Sequence, residues 1–373
     1  MKAEGKSEKA RGKSEDAGQR ASHQPLTKKD GAALIGKDES RAVFYFLSFA
    51  FCLFTFAFLT ACAARPRGPL AYVTNERDGT ITVIDTATDR VVSTFNVGGR
   101  LRGVRVGPDG RVYVAVSTPS GKSYDPKENH VAAVAASGGE VVATYEVGSD
   151  PEQLALSADG SRLFASNEDA GTASVVDTRT GRMLAALTVG IEPEGCRTSP
   201  DGRWVYVTSE TSNTVSVIDA QTDQVAATFM VDSRPRDAAF SPDGARAYVT
   251  TEIGRTLAVV DTSTHTVVRT VRLPNNANGV KPMGVVVSRD GSRVYVATGH
   301  GNTVDVVDAD SFDIVAEIPT GQRPWGLAIT PDGKKVYAAC GMSNEVSVID
   351  TATNRVVASV KAGDGPWGVA VGP

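Results

Sequence analysis

Residues 196–231 read CRTSPDGRWVYVTSETSNTVSVIDAQTDQVAATFMV, and this stretch decides the fold. It holds four short apolar runs separated by polar turns. Cys196 to Ser199 is the first, Trp204 to Ser209 the second, Thr214 to Asp219 the third and Val225 to Val231 the fourth. Each is too short for a stable helix and most are rich in β-branched or aromatic residues, so each predicts a strand. Pro200-Asp201-Gly202 turns the chain after the first run, because Asp-Gly supplies the positive φ of a tight hairpin. Asp219 ends the third by accepting from its own downstream backbone. The second and third runs are apolar at nearly every position, which suits sheets packed on both faces.

The unit recurs. Asp-Gly stands at Asp109, Asp159, Asp201, Asp243, Asp290 and Asp332. Val-Ile-Asp or a relative ends at Asp85, Asp177, Asp219, Asp261, Asp308 and Asp350, and a degenerate copy ends at Ala135. Successive spacings are 50, 42, 42, 42, 47 and 42 residues. A period near 42 with four strands per unit is the signature of a β-propeller. The first unit begins at its second strand, Ala71 to Thr74, and the chain ends after a lone first strand, Gly368 to Val371. The expected fold over 71–373 is therefore all-β: a seven-bladed β-propeller with four antiparallel strands per blade. The C-terminal inner strand joins the N-terminal blade and closes the ring, which removes the open sheet edge.

Composition agrees. The chain has 373 residues, 37 of them Gly, with 6% aromatic residues and a formal charge of −4. That balance argues against a nucleic-acid partner, and the weight of Gly favours many tight turns. Four cysteines and four histidines make a disulfide scaffold or a Cys/His zinc site unlikely on composition. Cys196 and Cys340 fall on nearly opposite blades, so two free thiols are expected.

The N-terminal region is separate. Residues 1–41 carry ten Lys/Arg and seven Asp/Glu and read as a disordered polar leader. Residues 42–61 are uncharged, with seven Phe, and end Leu59-Thr60-Ala61-Cys62. The segment 42–62 is either a signal with a lipidation site at Cys62 or an uncleaved membrane anchor. Residues 63–70 are a linker. Either route places the propeller outside the cytoplasm, in the periplasm or at the cell surface, tethered to the membrane. Removing 1–61 takes away a net +3 and leaves a formal charge of −7, so no basic patch for nucleic acid or anionic lipid is expected.

Tyr72-Val73-Thr74-Asn75 and Asn213 to Asp219 resemble the YVTN family of bacterial β-propellers. Gly148 to Gln153, Ser166 to Ala170, Gly190 to Gly195, Val231 to Arg236 and Gly365 to Val369 narrow the resemblance. They are similar to the propellers associated with pyrroloquinoline quinone (PQQ)-dependent catabolism. The resemblance covers about 71–373. It implies a non-catalytic accessory protein of PQQ-linked alcohol oxidation, with a quinoprotein dehydrogenase or transport component as partner. It brings no catalytic residues with it, and no cofactor or metal of its own is expected.

In such a disc the B–C and D–A loops share one face, and both length exceptions lie there, around Ser117 to Asn129 and Pro274 to Lys281. The residues entering the inner strands are Trp367, Arg102, Glu152, Glu194, Arg236, Met283 and Trp325. Of these, Trp325, Trp367, Arg102, Glu152, Glu194 and Arg236 form the candidate site for a small ligand or partner on a monomeric disc. Arg100, Asp150, Glu192, Arg234, Lys281 and Arg323 precede them. The alternative is that these charges pair between neighbouring blades and the tryptophans only pack. Glu76, Glu168, Glu210 and Glu252 follow the second strands and read as solvated or bonded to loop backbone, being too far apart for one ion. His130 and His300 read as solvent-facing loop residues. Two rivals to the binding protein stand: a metal-dependent propeller enzyme of lactonase or lyase type, and a structural surface protein.

Overall fold

The computed structural model describes residues 68–118 and 125–372. The polar leader, the apolar segment, Cys62 and the first residues of the linker lie outside the described residues, as does part of the long loop of blade two. Twenty-eight strands form seven four-stranded antiparallel sheets, so the seven-bladed propeller is the observed fold. Blade one takes its inner strand from the C-terminus. Pro366–Gly372 pairs with Leu70–Asn75, which continues through Thr80–Asp85 and Arg90–Asn96. The other inner strands are Arg100–Val106, Pro151–Leu156, Pro193–Thr198, Pro235–Phe240, Val285–Val287 and Pro324–Ile329, in blades two to seven.

The turns form as their residues dictate. Asp219 Oδ1 accepts the Gln221 and Thr222 N–H groups at 2.8 and 3.1 Å. Gly202 and Gly244, after Asp201 and Asp243, both hold φ at 72°. The core lies between blades. Each second strand contributes one buried aromatic: Tyr72, Tyr113, Phe164, Tyr206, Tyr248, Tyr295 and Tyr337 are each at most 2% exposed. Burial of one such ring contributes on the order of 2 kcal/mol, and the seven hold the disc together at equivalent radii. Cys196 and Cys340 are buried free thiols.

The inner strands depart from the expected boundaries. In blade four the strand begins at Pro193, three residues before Cys196. Pro193 pairs with Ser209 and Cys196 with Val207, so Glu194-Gly195 carries one extra residue. The same bulge falls at Arg102-Gly103, Glu152-Gln153, Arg236-Asp237 and Trp325-Gly326. A bulge bends a strand and re-aims its side chain, and here it occurs at the residues facing the channel mouth. Local apolarity does not reveal it, because these bulges carry Glu, Gln, Arg, Asp and Gly as well as Trp.

Candidate functional site

Two backbone devices fix the mouth. The first is a clasp between blades. Thr74 Oγ1 donates to the Arg102 carbonyl at 2.6 Å, Thr208 Oγ1 to that of Arg236 at 3.0 Å and Thr250 Oγ1 to that of Met283 at 2.5 Å. Ser166 does the same for Glu194. At several junctions the inner strands come so close that glycine is required. A Cβ on Gly326 would stand 2.7 Å from the Trp367 carbonyl oxygen, and one on Gly195 2.6 Å from that of Arg236. The second device ties the glutamates that follow the second strands. The Glu168, Glu210 and Glu252 N–H groups donate at 2.8 Å to the carbonyls of Asp150, Glu192 and Arg234. Asp150, Glu192, Arg234 and Arg323 hold left-handed φ of 51–62°. Non-glycine residues there cost about 1–3 kcal/mol, a strain found where side chains serve a site.

Of the glutamates expected to be solvated or bonded to loop backbone, Glu210 and Glu252 are instead buried and paired with Arg234 and Arg236. Asp150, Glu152 and Glu168, all of blade three, each place a carboxylate oxygen within 4.8 Å of the others. That spacing would accept a divalent cation, but Arg100 and Arg102 already supply positive charge. Arg102 Nη2 lies 3.0 Å from Glu152 Oε1, Arg100 Nη2 3.6 Å from it, and Arg100 Nη1 3.1 Å from Asp150. Glu152 is fully buried, and neither of its oxygens has a properly aligned hydrogen bond. Burial and the nearby Glu194 push its carboxyl well above the usual range. The same two causes bring Glu168 to about 7.

Across the channel Arg236 gathers the remaining carboxylates. Its Nη1 contacts Glu194 at 2.5 Å and also Glu210, and its Nη2 lies 2.7 Å from Glu252. Arg234 adds contacts of 2.5 Å to Glu210 and 3.1 Å to Glu252, and Lys281, brought in by the longer loop, reaches Glu252 at 3.0 Å. Against burial, Arg236, Lys281 and Arg234 hold the Glu252 carboxyl below its usual range. The mouth charges therefore do pair, within and between blades.

The two tryptophans close the ring of charges. Trp325 and Trp367 stack with centroids 5.8 Å apart at 27°. Arg102 lies 5.0 Å over Trp367, and Arg236 and Arg323 lie 5.6 and 4.9 Å over Trp325. A cleft of about 210 Å³ opens beside them, lined by Glu76, Arg77, Arg102, Arg323 and Trp325 among others. The six predicted residues form one contact set: Arg102 meets Glu152 and Trp367, Arg236 meets Glu194 and Trp325, and the two tryptophans stack. Trp367 Nε1 has no aligned acceptor, and Arg102 Nε meets Glu76 Oε1 only at 3.4 Å, beside the Glu152 carboxylate that Arg102 Nη2 pairs with. His300 is exposed, and His130 is half-buried at the start of a strand rather than in a loop.

Sequence reading missed a second level of the channel. Arg105, Arg197 and Asp237 line a chamber with Glu194, Arg236, Trp325 and Trp367. The signal lay in the repeat, since Arg105 and Arg197 occupy positions where the other blades have Ala155, Ala239, Val286, Ala328 and Ala370.

A family model for the lactonase 7-bladed β-propeller matches residues 222–371. No curated protein matches the chain. Among solved structures, a Bacteroides fragilis protein provisionally assigned as a 6-phosphogluconolactonase is similar at TM-score 0.69 and 20% identity, over 83% of this chain and 99% of that one. A Bacteroides uniformis protein with the same provisional assignment has TM-score 0.67 and 19% identity, over 82% and 100%. A chain of Kuenenia stuttgartiensis hydrazine synthase has TM-score 0.65 and 22% identity, over 75% and 95%. At these identities the structures speak for the fold. The lactonase family match over 222–371 corrects the expectation of a protein that is not an enzyme.

Proposed function

We propose that the protein is a propeller enzyme that opens a lactone or related cyclic ester at the channel mouth. The observation that carries this reading is the buried Glu152 carboxyl beside Glu168, with the Arg102 guanidinium 3.0 Å from it and Trp367 Nε1 left without an acceptor. Hydrolysis of a lactone needs a base for water, donors for the oxyanion and an acid for the leaving ring oxygen. Glu168, poised at about 7, takes a proton from water as the water oxygen bonds to the carbonyl carbon. Arg102 Nε and Trp367 Nε1 donate to the oxyanion. The ring C–O bond then breaks, Glu152 protonates the departing oxygen, and the proton on Glu168 returns to Glu152. The product is a hydroxy acid, and atoms and protons balance. The lactonase match over 222–371 supports the reaction class.

The context implied by the resemblance fits this chemistry. Oxidation of a cyclic hemiacetal by a quinoprotein dehydrogenase yields a lactone, which this propeller would open outside the cytoplasm if Cys62 carries a lipid. The test is a panel of five- and six-membered lactones with residues 63–373. Wild-type turnover should rise with pH through about 7 as Glu168 ionises. Glu168→Gln should lower kcat by about 10²–10⁴ and remove that rise. Hydrolysis no faster than in buffer, or an unchanged Glu168→Gln profile, would reject the proposal.

A further inference from the structure

We infer that Arg105 and Arg197 form a binding site for a small oxyanion, such as a carboxylate, in the channel below the tryptophan pair. The argument is one of charge and partners. Arg197 grips Asp237 with both arms, Nε to Oδ1 at 3.0 Å and Nη2 to Oδ2 at 2.9 Å. Asp237 is 5% exposed, and against burial Arg197 holds its carboxyl below the usual range. Arg105 has no such partner. Its Nη1 donates to the neighbouring Val104 carbonyl at 2.7 Å, and its Nη2 meets the Cys196 carbonyl of blade four only at 3.5 Å. No carboxylate lies within 4.0 Å of it among the described residues. The remaining charges of the chamber are committed, Glu194 to Arg236 and Asp237 to Arg197. One positive charge is left over in an enclosed space.

A buried cation without a counter-charge costs several kcal/mol. Burial, then the neighbouring Arg197, bring the Arg105 guanidinium down to about 9. Carbonyl dipoles only partly offset that cost. An oxyanion would supply the missing charge and the acceptors that a planar guanidinium matches two at a time. The chamber has about 30 Å³ of free space, room for a small anionic group rather than a whole cofactor. It borders Trp325, Trp367 and Arg236, so a molecule reacting above could lodge its anionic end here. That use rests on the proposed lactone-opening activity, but the anion site itself does not.

The experiment is thermal unfolding of residues 63–373 at pH 7 in chloride, acetate or inorganic phosphate at equal ionic strength. Wild type should gain about 4 °C at a hundredfold excess of acetate or phosphate over its Kd. Arg105→Met should unfold at or above the wild-type temperature in chloride and lose the anion-dependent gain. A general salting effect of phosphate would persist in the variant and is thereby separated. Arg105→Lys, which keeps the charge, should retain a weakened gain. A wild type indifferent to both anions overturns the site. So does an Arg105→Met that is less stable in chloride yet gains as much as wild type, since Arg105 would then be only a donor to carbonyls. A second arm identifies the source. If the anion belongs to the substrate, Arg105→Met lowers kcat/KM for a carboxylate-bearing lactone at least tenfold more than for a neutral one. The thermal gain with equal kinetic losses supports the site with a free oxyanion as occupant.

Discussion

Arg236→Met should destabilise the propeller in a pH-dependent way, and the dependence is the informative part. Arg236 is the shared partner of Glu194, Glu210 and Glu252, whose side chains are only 5%, 1% and 4% exposed. Met keeps most of the side-chain volume, so the loss is chiefly of charge. Breaking a buried pair by removing one partner costs about 3–5 kcal/mol. For a domain of roughly 300 residues, at about 2.1 cal/mol/K per residue, that lowers Tm by about 5–8 °C near pH 8. In the variant Glu210 and Glu252 lose one of the cations that hold their carboxyls down, so their folded pKa values rise. An acid whose folded pKa is raised contributes stability at low pH and loses it as pH rises. The deficit against wild type should therefore be largest at pH 8 and shrink towards pH 5, where the carboxyls can take up protons. The assay is a set of melts of both proteins from pH 5 to 8, followed by circular dichroism. An equal deficit at both ends would mean that Arg236 acts through packing against Trp325 rather than through charge.

Two further substitutions test the devices that shape the mouth. Gly326→Ala would place a Cβ 2.7 Å from the Trp367 carbonyl oxygen. It should cost about 1–3 kcal/mol and alter fluorescence from the stacked Trp325–Trp367 pair; an unchanged melt and spectrum would deny that the glycine sets the blade spacing. Ending the chain at Gly365 removes Pro366–Gly372, the partner of Leu70–Asn75. The opened ring should lose cooperative unfolding and aggregate; a monomer by gel filtration with near-native Tm would show that closure is dispensable.

The fold was legible because each blade repeats the same local chemistry. Asp-Gly turns, a buried aromatic in the second strand and a 42-residue period all point to one architecture, and the family model confirms it over 222–371. The first level of the site was legible for the same reason: in a repeat, the positions that vary against a constant background are visible. The closeness of Glu168 to Asp150 and Glu152 was not legible, because it depends on a backbone bond. The Glu168 N–H donates to the Asp150 carbonyl, a contact between two loops 18 residues apart that spacing alone does not reveal. Arg105 and Arg197 were missed because the bulge at the strand entry shifts which residues face the channel. Their departure from Ala and Val at the equivalent positions was the available clue.

The same geometry explains how a closed ring can carry reactive groups. Catalysis by fixed dipoles and charges needs side chains that do not reorganise when the substrate arrives. Here the carbonyls of Arg102, Glu194 and Arg236 are each clasped by a hydroxyl of the adjacent blade, and several of the residues before the inner strands hold left-handed backbone. The clasps lie one step below the mouth, so a blade can exchange Glu for Arg or Trp at its tip without disturbing the hydroxyl that anchors it. Seven equivalent slots allow two mixed clusters to form, Arg100 and Arg102 with Asp150 and Glu152, and Arg234 and Arg236 with Glu194, Glu210 and Glu252. Burial of the carboxyls raises their pKa values while the arginines limit the rise. Burial and the neighbouring Glu194 push Glu152 well above the usual carboxyl range and bring Glu168 to about 7 within a single blade.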